Sequence, residues 1–354
     1  MASLHKTSRL VYVGNDEPGF RRERRGAKFE YFTARGAPIR DDRILARIRR
    51  LAIPPAYTDV WICRRANGHL QATGRDARGR KQYRYHLKWR QLRDRAKYDR
   101  MLAFSEHLPG LRRRVAADLR LPGVPRAKVL ATVVRLLETS LIRVGNDEYA
   151  RTNGSFGLTT LKNDHVRVRG AHLQFRFRGK SRKVHDVRVN DARLARIVRH
   201  CQDLPGQALF QFINDAGEVE NIDSSDVNAY IRGRDGTEFS AKDFRTWAGT
   251  LLTARVLAGL GNAPDEAVAK ARIASAIEQV AARLGNTPAI CRKSYVHPAI
   301  LDAYLANTLK LPASAHALGK TRLSAQERAI QKLLKRQEAE NRLAPARRRG
   351  AASA

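Results

Sequence analysis

The stretch HVRVRGAHLQFRFRGKSRKVHDVRV (165–189) decides the fold class. It divides into three short runs, HVRVR (165–169), HLQFRFR (172–178) and KVHDVRV (183–189), in which apolar and polar residues alternate. Gly170-Ala171 and Gly179-Lys180-Ser181 separate them. A period of two sets one face against a core, and separators this short permit only hairpins. The stretch therefore predicts a three-stranded antiparallel meander with Lys180 at a hairpin tip. On either side the period changes. Upstream, KVLATVVRLLETSLIRVG (128–145) places Val129, Leu130, Val133, Leu136, Leu137 and Leu141 on one broad helical face, with Gly145 as its stop and Arg143 near its end. Downstream, the chain to about 310 reads as helical, over 191–203, 224–233, 240–260, 264–284 and 298–309. A small sheet set among helices makes the class α+β.

The first 92 residues read as a smaller β-rich domain. LVYV (10–13), KFEYF (28–32), TDVWICR (58–64) and HLQATG (69–74) have strand composition, and Ala66-Asn67-Gly68 offers a turn between the last two. DDRILARIRRL (41–51) has helical spacing and ends before Pro54-Pro55. Residues 93–310 form the larger, mostly helical domain. The tail, 311–354, reads as a charge-rich helix over 323–343 followed by a disordered APARRRGAASA.

Charge narrows the function. The 354 residues carry 68 Lys and Arg against 34 Asp and Glu, a formal net charge of +34. The basic residues are spread along the whole chain. That distribution suits a protein that surrounds a polyanion, and a nucleic acid is the expected partner. No run of apolar residues approaches a membrane span, no h-region follows MASLHKTSRL, and a membrane partner is not expected. Cys63, Cys201 and Cys291 are scattered and odd in number, so neither a disulfide framework nor a zinc site is expected. A soluble protein of a reducing, cytoplasmic compartment is the resulting expectation, nucleoid-associated if bacterial.

The sequence has no G-x-x-x-x-G-K-[ST] loop, no H-E-x-x-H and no carboxylate cluster suited to two magnesium ions, so no metal, nucleotide or other cofactor is expected. Phosphate chemistry would then rest on Arg and Lys, which supply fixed charge and directed donors. Four segments offer them: LIRVGNDEY with Arg143, FRGKSRKVH with Lys180, AKDFRTWAGT with Lys242 and Arg245, and GNTPAICRKSYVHP with Asn286 and, nine residues later, Tyr295. A fifth, ATGRDARGRKQYRYH (72–86), interleaves basic and aromatic residues.

In this order, over about residues 55–300, the segments resemble the active-site segments of type IB DNA topoisomerases, especially the small poxvirus and bacterial forms. The resemblance implies that Tyr295 is the nucleophile forming a 3′-phosphotyrosyl bond. It implies that Arg143 and Arg245 hold the non-bridging oxygens and that Lys180 protonates the leaving 5′-oxygen. Asn286 stands where many members have histidine, and there it implies an uncharged donor. In the fifth segment the resemblance implies DNA contacts by Arg75, Arg80, Lys81, Gln82, Tyr83 and Tyr85, and Lys242 joins that set. It also implies a monomer whose two domains clamp duplex DNA and relax supercoils without ATP or metal.

The residue types suit that chemistry. A free tyrosine ionises near pH 10 and attacks poorly unless cations surround it. A covalent intermediate divides the exchange into two reversible steps. A lysine near pKa 10.4 stays protonated, as an acid must. Two alternatives remain open on the sequence. One is a tyrosine recombinase, although such enzymes typically carry His three residues before the second Arg, where this chain has Lys242. The other is a non-catalytic nucleic-acid-binding protein.

Overall fold

The computed structural model describes residues 10–26, 28–77, 79–233, 238–313 and 321–350. The chain forms two compact units, Met1–Tyr98 and Asp99–Ala354.

The first unit is a five-stranded antiparallel sheet in the order β2-β1-β3-β4-β5. Its strands are β1 (Phe20–Arg25), β2 (Lys28–Phe32), β3 (Thr58–Ile62), β4 (Leu70–Arg75) and β5 (Lys81–Tyr85). One helix, α1 (Asp42–Arg50), is capped by the Asp41 carboxylate, which accepts from the Arg43 and Ile44 amides. Phe20, Ile48, Val60, Ile62 and Ala72 make the core, each worth a fraction of the ~1.5–3 kcal/mol that a fully buried large side chain contributes.

One expectation fails here, and one strand was not foreseen. LVYV is not a strand: Val11 makes a single bridge to Gly68, and the Val11 amide donates to the Asn67 carbonyl. FRRERR, which shows almost no apolar alternation, is β1. Its charge is accommodated because Arg22 spends its guanidinium on the carbonyls of Ile53, Pro54 and Tyr57, at 3.2, 3.0 and 2.6 Å, and lies over the Phe29 ring. The β3–β4 connection is longer than a tight turn. The buried Gln71 amide secures it by donating to the carbonyls of Arg65, Ala66 and Gly68.

The second unit is helical around a meander. Helix α2 (Leu87–Asp118) enters it, and α3 (Arg126–Ser140) forms its centre. All nine residues from Val129 to Leu137 are buried, not one face alone, because α5 (Ala192–Gln202), α6 (Ser224–Arg232), α7 (Ala241–Gly259), the last strand of the meander and the strand at 211–213 all pack on α3. Its polar members are satisfied: Thr132 donates to the Lys128 carbonyl and Arg135 pairs with Glu138. The short α4 (Asp147–Asn153) follows α3. The meander has the predicted order, β6 (Val166–Arg169), β7 (His172–Arg178) and β8 (Val184–Asn190), in register with Phe175 opposite both Val166 and Val187. A two-stranded hairpin, β9 (Gln211–Ile213) and β10 (Val219–Asn221), interrupts the stretch expected to be wholly helical. Three-residue strands are too short to show a period, and the turn residues Asn214 and Gly217 were the available signal. Helices α8 (Glu266–Arg283), α9 (Pro288–Tyr295) and α10 (Pro298–Leu305) follow.

The expected separate tail is also corrected. Helix α11 (Ala325–Gly350) belongs to the second unit through buried Glu327, Ile330 and Leu334, with buried Leu323 just ahead of it. Its helical backbone runs beyond Leu343, where disorder was expected, as its Ala and Arg content favours. Residues 351–354 lie outside the described residues.

A candidate active site on three helix ends

Helix α3 stops five residues before Gly145, the expected stop. Leu141 turns left-handed at φ 59°, and the Ser140 hydroxyl accepts from the Ile142 amide. Arg143 therefore stands on an extended segment, not at a helix end. That segment is fixed by close backbone approach: Leu158 and Thr159 donate their amides to the carbonyls of Arg143 and Val144, at 2.8 and 2.6 Å. Gly157 permits the contact, since a Cβ there would lie 2.6 Å from the backbone of Gly145.

Helix α8 ends in a Schellman arrangement. Gly285 is left-handed at φ 60°, its amide reaching the Ala282 carbonyl and the Asn286 amide the Ala281 carbonyl. One residue later Thr287 caps α9, with Pro288 in its first turn. Asn286 is thus caught between two helix ends, and its Oδ1 accepts from Arg143 Nη2 at 2.6 Å. That bond fixes the amide orientation. It leaves Asn286 Nδ2 as a buried donor with no hydrogen-bond partner among the described residues.

Arg245, on the first turns of α7, is almost fully buried. Its Nη1 donates to the Leu141 carbonyl and its Nη2 to the Leu284 carbonyl, the latter at 2.6 Å, tying the ends of α3 and α8 together. A guanidinium carries more donors than two carbonyls consume, and Arg245 Nε is buried and unpartnered among the described residues. Its Cζ lies 5.2 Å from the ring centroid of Tyr295, the last residue of α9. Burial pushes the Tyr295 phenol up, but the charge of Arg245, a hydrogen bond from its guanidinium and the charges of Arg143 and Lys242 outweigh it, so the phenol is held below its ordinary value.

Of the predicted residues, Arg143, Arg245, Asn286 and Tyr295 come together, with the exposed Lys242 close enough for its charge to act on Tyr295. Lys180 stays exposed at the β7–β8 tip, where its side chain makes no hydrogen bond or ion pair among the described residues. Sequence reasoning passed over His185, whose half-buried ring feels the charges of Arg143 and Arg245. Its position opposite Phe177 in the meander was the available signal.

The remaining predicted residues lie on the first unit, on the β4–β5 hairpin. Arg75 pairs with Asp59 at 3.2 Å and Arg80 with Asp76 at 2.7 Å. Gln82 also donates to Asp76, at 3.0 Å. Lys81, Tyr83 and Tyr85 share the opposite face of β5: the two rings stack with centroids 6.1 Å apart, and the Lys81 ammonium lies 5.8 Å from the Tyr83 centroid.

Comparison with known proteins decides the family. Residues 86–321 match the family model of the eukaryotic DNA topoisomerase I catalytic core, and residues 28–76 match that of the bacterial DNA topoisomerase IB N-terminal domain. The chain belongs to the type IB DNA topoisomerases. Among its relatives is the DNA topoisomerase 1B of Acanthamoeba polyphaga mimivirus, 31% identical over 296 residues, covering 82% of this chain and 88% of the viral protein. The DNA topoisomerase 1B of vaccinia virus (strain Copenhagen) is 26% identical over 279 residues, covering 75% of this chain and 83% of its own. This topoisomerase is an isomerase acting on DNA. None of its helices, among the described residues, is long and apolar enough to cross a membrane. Its three cysteines are buried free thiols.

Proposed function

We propose that this topoisomerase relaxes supercoiled duplex DNA by cutting one strand through Tyr295, letting the free strand rotate, and resealing it. The observation that carries this reading is the seat of the Tyr295 phenol beside Arg245, in a cluster completed by Arg143 and Asn286. Tyr295 Oη loses its proton to solvent and attacks a backbone phosphorus. The new bond joins Tyr295 to the 3′-phosphate, and the bond to the 5′-oxygen breaks. Lys180 supplies the proton that the 5′-oxygen takes up. Arg143, Arg245 Nε and Asn286 Nδ2 donate to the non-bridging oxygens, whose charge grows in the transition state. Resealing is the same path reversed.

One phosphodiester replaces another, so the cycle is nearly balanced in energy and needs no ATP. The cations of the side chains take the part that metal ions play elsewhere, so the cycle needs no metal. Lys81, Tyr83 and Tyr85 contact the duplex together with Arg75, Arg80, Gln82 and Lys242, and the enzyme works as a monomer in the cytoplasm.

The test is plasmid relaxation in EDTA without ATP, wild type beside Tyr295→Phe, quenched with detergent. Relaxation and a trapped protein–DNA adduct with the wild type alone are expected. Relaxation by Tyr295→Phe, or dependence on added metal or ATP, overturns the reading.

A further inference from the structure

We propose that His185 is a positioning residue, a ring wedged between the glycine that precedes Lys180 and the glycine that precedes Asn286, which couples the Lys180 hairpin to the phosphate-binding cluster. The proposal rests on the roles given above to Lys180 and Asn286.

The geometry comes from two glycines on separate elements. A Cβ on Gly179 would lie 2.6 Å from both Cδ2 and Nε2 of His185. A Cβ on Gly285 would lie 2.7 Å from its Cε1. The imidazole thus fills space that any other residue at either position would occupy. Gly285 needs its left-handed φ for the end of α8 in any case. Gly179 does not: its φ of −99° suits any residue, so only the His185 ring forbids a side chain there. Stacking on Phe177, with centroids 5.1 Å apart and planes 11° from parallel, fixes the ring. Phe177 is buried under the sheet, so the wedge has a rigid backing.

The hairpin tip needs such a support. Ser181 and Arg182 are both left-handed, at φ 64° and 59°, without being glycine. The tip is closed by the Gly179 amide on the Lys183 carbonyl at 2.8 Å. The charged groups acting on His185 are Arg143 from the segment after α3, Arg245 from α7 and Lys183 from its own hairpin. Burial and these three cations all lower its pKa, so the ring stays neutral and packs among cations without adding to their charge.

The test exploits the leaving group. A 5′-bridging sulfur leaves as a thiolate and needs no proton, so it removes the requirement for Lys180 and for anything acting through Lys180. Single-turnover cleavage would be measured on oxygen and sulfur substrates for His185→Ala, Lys180→Ala, Gly179→Ala and the Gly179→Ala/His185→Ala double variant. On the oxygen substrate His185→Ala should slow cleavage by about 10²-fold, the scale of a misplaced catalytic group. On sulfur most of that loss should vanish, as it should for Lys180→Ala. Gly179→Ala should show the same leaving-group dependence, and the double variant should be no slower than His185→Ala, because the new Cβ then has room. If Lys180→Ala is restored by sulfur but His185→Ala is not, His185 does not act through Lys180 and the inference falls while the role of Lys180 stands. If Lys180→Ala is equally slow on both substrates, the assignment of Lys180 fails and takes the inference with it. Should His185→Ala not fold, Gly179→Ala alone decides: a loss unaffected by sulfur overturns the coupling.

Discussion

Gly249 carries the backbone of Tyr295: a β-carbon on Gly249 would lie 2.7 Å from the Tyr295 carbonyl oxygen and 2.8 Å from its Cβ. Thr250, fully buried beside it, donates its hydroxyl to the same carbonyl at 3.1 Å and accepts from the His297 amide at 3.0 Å. Arg245 precedes Gly249 by one helical turn, so one face of α7 presents the guanidinium to the ring and the glycine to the main chain.

Gly249→Ala should therefore push the end of α9 away from α7 and move the Tyr295 hydroxyl. A shift near 1 Å is enough to cost about 10²-fold in cleavage. Alanine is the better helix former by ~1 kcal/mol, which offsets part of the strain and keeps the protein folded. Single-turnover cleavage should fall while the Kd for uncleaved duplex stays the same. Equal losses in both would mean that Gly249 serves folding and not the placement of Tyr295.

The depressed ionisation of Tyr295 sets a pH dependence. The phenolate is the attacking form, so cleavage should rise with pH and level off below the ordinary tyrosine value of about 10. Lys242 is exposed at the start of α7 and contributes charge to that depression. Lys242→Met should move the plateau to higher pH and slow cleavage at neutral pH, with the rate recovering as pH rises. The profile of log rate against pH checks this; a uniform loss at every pH would show that Lys242 contacts DNA without acting on Tyr295.

How far the sequence could be read follows from which features have a period. The meander was legible because Leu173, Phe175 and Phe177 alternate with polar residues across hairpin glycines, and α3, α5 and α7 because their apolar residues recur at helical spacing. FRRERR was not legible, because only Phe20 in it is buried and Arg22 is held by carbonyls 31 to 35 residues away. Arg143, Arg245, Asn286 and Tyr295 were visible through the order of their segments. The Arg143–Asn286 bond spans 143 residues and Arg245 closes two helix ends, which only tertiary structure can reveal. His185 escaped in part for the same reason: Gly285, Arg143 and Arg245, which meet it, are distant in sequence, and only Phe177, Gly179 and Lys183 are local.

The start of α11 should be as much part of the enzyme as its core. Arg112 bridges Glu138 and Glu327, both at 2.6 Å, with all three side chains almost wholly enclosed, and Glu327 also accepts from the Trp247 indole at 3.2 Å. Burial pushes the Glu327 carboxyl up, but Arg112 outweighs it and holds the group below its ordinary value. A depressed carboxylate contributes stability that is present above the unfolded pKa of about 4.3 and is lost as pH falls through the folded value. Glu327→Ala would leave Arg112 paired with Glu138 alone and take away its charge-assisted hydrogen bonds to Glu327, costing about 1.5–3 kcal/mol in thermal unfolding at neutral pH. The deficit relative to wild type should shrink in acid. A deficit constant with pH would mean that the loss is one of packing alone.

The β4–β5 hairpin separates charges that look alike in sequence. Arg80 is neutralised by Asp76, and Gln82 is bound to the same carboxylate, whereas among the described residues the Lys81 ammonium donates only to the neutral Asn15 amide, at 3.1 Å, and projects over Tyr83. An uncompensated cation releases a counterion on meeting a phosphate; one already paired with a carboxylate must first exchange that partner. Lys81→Ala should therefore reduce the slope of log K against log salt by about 1, and Arg80→Ala by distinctly less. Tyr83→Ala should weaken binding with the slope unchanged, because a ring carries no charge. Asp76→Asn releases Arg80 and should steepen the slope. Titrations of a labelled duplex at several salt concentrations check the set, and equal slopes for Lys81→Ala and Arg80→Ala would show that the Asp76 pairing does not persist on DNA.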